Sequence, residues 1–145
     1  MKKRTVSLIL VIVMVLSMSA AVFAMDDGTM PAASLYLDSY GVTLGAYGNG
    51  SMKICMTVDG VGVLDQIGVM QIDIEEKING TWQYYGCIPA SEHPEFYSYN
   101  SRGYLGTVDF TGTPGVSYRV TLMVYASKGT GSDTGFVTSY TVTGT

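Results

Sequence analysis

The sequence predicts an all-β protein, a single antiparallel β-sandwich of about seven strands. Three observations predict it. Gly, Thr, Ser and Asn cut the chain beyond residue 33 into short pieces rich in Val, Ile, Thr and Tyr. Apolar residues in those pieces recur with a period of two, and no piece carries a helical stripe. Seven such pieces between residues 34 and 145, separated by turn residues, are what two packed antiparallel sheets require.

The first 33 residues stand outside this pattern. Lys2, Lys3 and Arg4 precede an apolar run from Val6 to Phe23, and Val22-Phe23-Ala24 places small residues where a peptidase cuts. Residues 1–24 are therefore expected to be a secretory signal peptide and residues 25–33 a flexible lead-in. Met25 rather than a cysteine stands directly after the cleavage point and no wall-sorting signal is seen in "YTVTGT", so the expected product is secreted and free of the membrane. Of the eight basic residues three lie in the leader, which leaves five against 12 acidic ones, a net charge of −7. Such an acidic domain is a poor ligand for nucleic acid or anionic lipid.

The strands follow in order. Leu35 to Leu44 is the first, and its apolar positions change parity near Gly41, which suggests a bulge there. Ser51 to Asp59 is the second, with Met52, Ile54, Met56 and Val58 on one face and Lys53, Cys55 and Thr57 on the other. Val69 to Ile78 is the third and Thr81 to Ile88 the fourth. Gly103 to Thr111 is the fifth. Val116 to Ser127 is the sixth, with Val116, Tyr118, Val120, Leu122 and Val124 in line. Thr134 to Val142 is the last. "DGVGVLDQIG" and "PASEHPEFYSYNS" are expected to be loops.

"GTPGVSYRVTLMVYA" resembles the penultimate strand of immunoglobulin-like and fibronectin type III domains, and "IEEKINGTWQYY" is similar to their middle hairpin. The resemblance implies a sandwich of that kind, with Tyr118 bonding back to the backbone at a strand corner. The layout also resembles small uncharacterised secreted proteins of Gram-positive bacteria. It implies no catalytic residues. The immunoglobulin Cys-Trp-Cys pattern is absent, because Trp82 falls too late and no cysteine lies on the sixth strand.

Among residues that carry chemistry, Glu75 and Glu76 are adjacent and so point to opposite faces of a strand. They cannot form the facing carboxylate pair of a glycosidase. Asn79-Gly80 is a strong hairpin signal. As a type I′ turn it pairs Ile78 with Thr81, Lys77 with Trp82 and Glu75 with Tyr84. Trp82 and Tyr84 then face outward, and Tyr85 and Cys87 inward. A three-residue loop would slip the register by one and bury Trp82 and Tyr84 instead; the type I′ reading is adopted. Outward aromatics suit either cross-strand pairing or a stacking platform for a sugar.

Cys55 and Cys87 are the only cysteines. Export favours a disulfide between them, worth roughly 3–4 kcal/mol. Their parities disagree, since Cys55 comes out on the outer face and Cys87 on the inner one, so Gly86 would have to turn Cys87 around. His93 is the only histidine and lies between Glu92 and Glu95 in a loop. No nucleophile or orienting partner stands near it in sequence. No metal-ligand spacing and no cofactor motif is present.

Eleven tyrosines are many for one core. "EFYSYNSRGY" gathers Tyr97, Tyr99 and Arg102, residue types favoured at recognition surfaces. The expected function is thus a non-enzymatic secreted domain that binds a protein or cell-surface component, with Trp82, Tyr84, Tyr97, Tyr99 and Arg102 as candidate ligand contacts and no cofactor. The alternative is a small carbohydrate-binding module using Trp82 and Tyr84. A hydrolase built on Glu92, His93 and Glu95 is the third and weakest reading.

Overall fold

The computed structural model describes residues 34–145. The expected signal peptide and lead-in lie outside the described residues. The described chain is all-β apart from a single 3-10 turn, Pro94–Phe96. Its strands are β1 (Leu37–Ala46), β2 (Ser51–Ile78), β3 (Thr81–Pro89), β4 (Tyr97–Thr111), β5 (Ser117–Lys128), β6 (Gly131–Thr138) and β7 (Val142–Thr143). All pairings are antiparallel. They join seven strands into one curled sheet, a half-barrel.

The second and third strands of the sequence reading are one strand. "DGVGVLDQIG" does not leave the sheet. Instead β2 runs 28 residues and serves as the spine. Its first half pairs with β1 and β4, and its second half with β3 and β5. A strand this long must bend, and the register shows where. It shifts against β4 between Asp59 and Leu64, and against β5 between Val69 and Gln71. Each shift adds residues on one side of a ladder, which turns the strand and increases its twist. It also moves the buried parity, from Met52, Ile54, Met56 and Val58, through Ile67 and Val69, to Ile72 and Ile74. This change of parity within a continuous strand made the middle read as a loop.

The inner face of the curl is the core. The buried side chains of β2 meet Tyr118, Val120, Leu122, Val124 and Ala126 of β5, with Phe96 and Tyr104 from the β4 side. Tyr118 Oη accepts a hydrogen bond from the Thr113 amide at 2.7 Å, so its hydroxyl bonds back to the backbone as expected. On the other flank Tyr36, just before β1, and Tyr40, within it, lay their rings on Gly131 and Gly135 of β6. A methyl group at either glycine would overlap a ring. The first and last strands of the path β1-β2-β5-β6 thus approach through tyrosine-on-glycine contacts. Asp133 pins the same corner, accepting hydrogen bonds from Ser34 Oγ at 2.5 Å and from the Tyr36 amide at 2.9 Å. These hydrogen bonds, that from Ser34 foremost, hold the Asp133 pKa below its ordinary value.

Other boundaries move too. The parity change in β1 falls between Leu37 and Ser39, and Gly41 pairs regularly with Thr57. The fifth strand starts at Tyr97 rather than Gly103. The last predicted strand is two, β6 and β7, which flank Ser139. The Ser139 side chain accepts from the Val120 amide and so stitches this break to β5.

Candidate aromatic binding face

Asn79 and Gly80 both have positive φ, 51° and 81°, which only a type I′ turn demands of a two-residue loop. Ile78 pairs with Thr81, Lys77 with Trp82 and Glu75 with Tyr84, as the sequence led one to expect. Glu75 lies on the outer face, opposite Arg119 of β5 on its other side. Arg119 grips it with two hydrogen bonds, Nε to Oε2 at 2.6 Å and Nη2 to Oε1 at 3.1 Å. That contact raises the Arg119 pKa above its ordinary value. The guanidinium also sits 4.4 Å from the centre of the Trp82 ring, and the Lys77 ammonium 5.5 Å from it. Trp82 is half-buried under these cations. Tyr84 is 69% exposed.

The register then shifts between Ile74 and Glu75, with Tyr85 as the extra residue on β3. Tyr85 turns inward. Its ring tilts against Phe110 and meets Tyr118 edge-on, and its hydroxyl donates to the Thr111 carbonyl. Gly86 pairs with Ile74 and Cys87 with Asp73, so Cys87 faces outward, contrary to the inward placement expected from strict alternation. The Cys87 side chain beside its hydroxyl raises the Tyr84 pKa. Cys55 pairs with Thr43 and Thr107 on the other half of β2. The two cysteines are not bonded, which corrects the expected disulfide. Cys55 and Asp73, the ladder partner of Cys87, are 18 residues apart along the spine, and strand geometry at roughly 3.3 Å per residue separates the two cysteines well beyond disulfide reach.

A second group forms where β4 begins. Tyr97 of β4 and Tyr125 of β5 both pair with Gly68 of β2. With no side chain between them, their rings meet edge-on across the intervening strand, 6.2 Å between centroids. Burial raises the Tyr97 pKa. Gly68 is required for a further reason, since a Cβ there would collide with the Phe96 carbonyl. Two residues along β4, Tyr99 pairs with Gln66 and is 63% exposed. Two residues along β5 from Tyr125, Met123 pairs with Phe136 of β6, which is 61% exposed. Direct partners and i, i+2 neighbours share a face. Tyr99, Tyr97, Tyr125, Met123 and Phe136 therefore form one outer-face stripe crossing from β4 to β6.

The five candidate contacts named from sequence are thus not one site. Trp82 pairs nine residues along β2 from the partner of Tyr97, about 30 Å of strand. Arg102 is exposed at the register break between Ser101 and Gly103, apart from both groups. Met123, Tyr125 and Phe136 were missed. Their signal was present as the outward parity of β5, but Phe136 belongs to the stripe only through a register no single strand reveals.

His93 Nδ1 lies 2.8 Å from Glu95 Oε1, and its ring stacks on Phe96 at 4.7 Å. The contact lowers the Glu95 pKa. Among the described residues no three His, Cys, Asp or Glu side chains gather as a metal site.

No family model matches the chain, and no curated protein matches it. A solved structure of a protein from Archaeoglobus fulgidus is similar to it at 10% identity and a TM-score of 0.36, covering 75% of this chain and 98% of that one.

Proposed function

We propose that this chain is a secreted, non-enzymatic binding domain that recognises a protein or cell-surface component through the stripe Tyr99, Tyr97, Tyr125, Met123 and Phe136. One observation carries the reading: Tyr99 and Phe136 stay 63% and 61% exposed at the two ends of a continuous apolar and aromatic band. Large apolar groups held in water without internal partners mark interaction surfaces. The leader-like first 24 residues support export, and the Tyr118 to Thr113 bond supports kinship with immunoglobulin-like and fibronectin type III sandwiches.

The carbohydrate-binding alternative rests on Tyr84, which is exposed on the same outer face. Trp82 serves it poorly, because Arg119 and Lys77 already lie over its ring. Binding to purified cell-wall polysaccharide and to surface-protein extract separates the two. The main reading requires that Tyr99→Ala with Phe136→Ala abolish retention of a protein component. Retention on polysaccharide alone, lost in Trp82→Ala with Tyr84→Ala, would replace it with the alternative.

A further inference from the structure

The chain holds two Asn-Gly pairs, Asn49-Gly50 and Asn79-Gly80, and the fold treats them differently. Both asparagines sit at positive φ. Gly50 is buried, its amide donates to the Thr145 carbonyl at 2.8 Å, and its carbonyl accepts from the Gly112 amide at 2.8 Å. Gly80 is exposed, its amide has no partner among the described residues, and nothing lies within 4 Å of where a Cβ would stand. In a two-residue hairpin loop the inner amides point to water, so this is what the turn type dictates.

We propose that Asn79 is a site of spontaneous deamidation, and that the fold selects it over Asn49. The Gly80 amide nitrogen, after giving its proton to solvent base, attacks Asn79 Cγ. A new N–Cγ bond forms, the Cγ–Nδ2 bond breaks, and ammonia leaves with a proton from solvent. Water then adds to one of the two carbonyls of the resulting succinimide and opens the ring to aspartate or isoaspartate. The net change exchanges ammonia for water and needs no oxidant or cofactor. Attack requires Asn79 to swing out of its turn conformation. That opening is local, because the turn lies beyond the last pair, Ile78 and Thr81, and β3 has β2 as its sole sheet neighbour. At Gly50 the same motion must break two backbone hydrogen bonds that tie separate segments together. An isoaspartate at residue 79 lengthens the turn backbone by one carbon, which uncouples the register holding Trp82 beside Lys77.

The test is peptide mapping by mass spectrometry after incubating the purified protein in mildly alkaline buffer, folded and in denaturant. Asn49 and Asn79 fall in different tryptic peptides. Relative to the rates in denaturant, folded Asn79 should convert at least about tenfold faster than folded Asn49, which corresponds to about 1.4 kcal/mol of extra opening cost at Asn49. Trp82 emission should change in step with isoaspartate at residue 79. Equal protection of the two sites in the fold, or faster conversion at Asn49, overturns the proposal. The denatured sample supplies the reference rates without any variant that must fold.

Discussion

The two aromatic groups on the outer face are alike in residue type and opposite in state. On β3, Trp82 stands beside Lys77 in the ladder, and Arg119 reaches it from β5 while held by Glu75. Its ring is covered by the protein's own cations. Between β4 and β6, the outward neighbours are Gln66, Gly68, Met123 and Thr134, none of which carries charge. Tyr97 and Tyr125 touch one another, Tyr97 also packs against the core, and Tyr99 and Phe136 face water. Trp82 is thus already covered by its charged neighbours, whereas the rings beside small or neutral partners, and Tyr84 at the edge of the hairpin as well, are left for something else to cover. Composition alone does not distinguish these cases; the cross-strand partners do.

The largest way to break the comparison is Gly68→Ala. Its Cβ meets the Phe96 carbonyl and the Tyr97 backbone, which cannot give way as a flexible side chain would. Urea unfolding should show a loss of about 3 kcal/mol or more, and retention of the partner should vanish. Gly62→Ala, where the added methyl meets open space, is the control and should fall within about 0.5 kcal/mol of the parent.

High pH probes the inner side of the strand that carries Tyr97 and Tyr99. Tyr104 is buried, and desolvation foremost pushes its pKa up to about 12. A tyrosine is neutral below its pKa, and the fold favours the neutral form. The stabilisation is therefore complete below about pH 10, where the unfolded chain titrates, and is lost as pH rises to about 12. At 1.36 kcal/mol per pKa unit the loss amounts to about 2–3 kcal/mol. Tyr104→Phe should flatten that decline; an unchanged slope would show that another group governs it.

Arg119→Ala sharpens the contrast by removing the cover from Trp82. Stability should fall by about 1 kcal/mol, the range of a partly exposed ion pair with a cation–π contact. Iodide should then quench Trp82 fluorescence more strongly. Unchanged quenching would mean that Lys77 alone shields the ring.

The smallest effect on folding should come from Tyr99→Ser with Phe136→Ser. Each site is exposed, so denaturation midpoints should move by no more than about 0.5 kcal/mol per substitution. Binding should nonetheless be lost. A large drop in stability would show instead that the stripe serves the sheet.

The tyrosine count illustrates how far composition carries. Eleven looked like too many for one core, which pointed toward recognition. Four of them, Tyr36, Tyr40, Tyr104 and Tyr118, lie against glycines where a Cβ would overlap the ring. Abundant glycine and abundant tyrosine are thus partly one feature, since close backbone approach makes room for large rings. The tyrosines that remain at the surface, such as Tyr99, become visible only after these are set aside.

Period-two alternation and turn residues were enough to determine that the chain is antiparallel β, that Asn79-Gly80 closes a type I′ hairpin, and that Trp82 and Tyr84 face outward. Those properties are local, because a residue's face and a turn's backbone depend on a few neighbours. Only the tertiary structure decided that two predicted strands are one bent spine, that a bulge at Tyr85 turns Cys87 outward, and that the cysteines lie on separate halves. It alone joined Phe136 to Tyr99. A bulge reverses parity without any change in composition, and pairing between β2, β4, β5 and β6 is set by how the curl buries its inner face. The physical reason is that burial is shared among strands distant in sequence, so no one strand carries its own register.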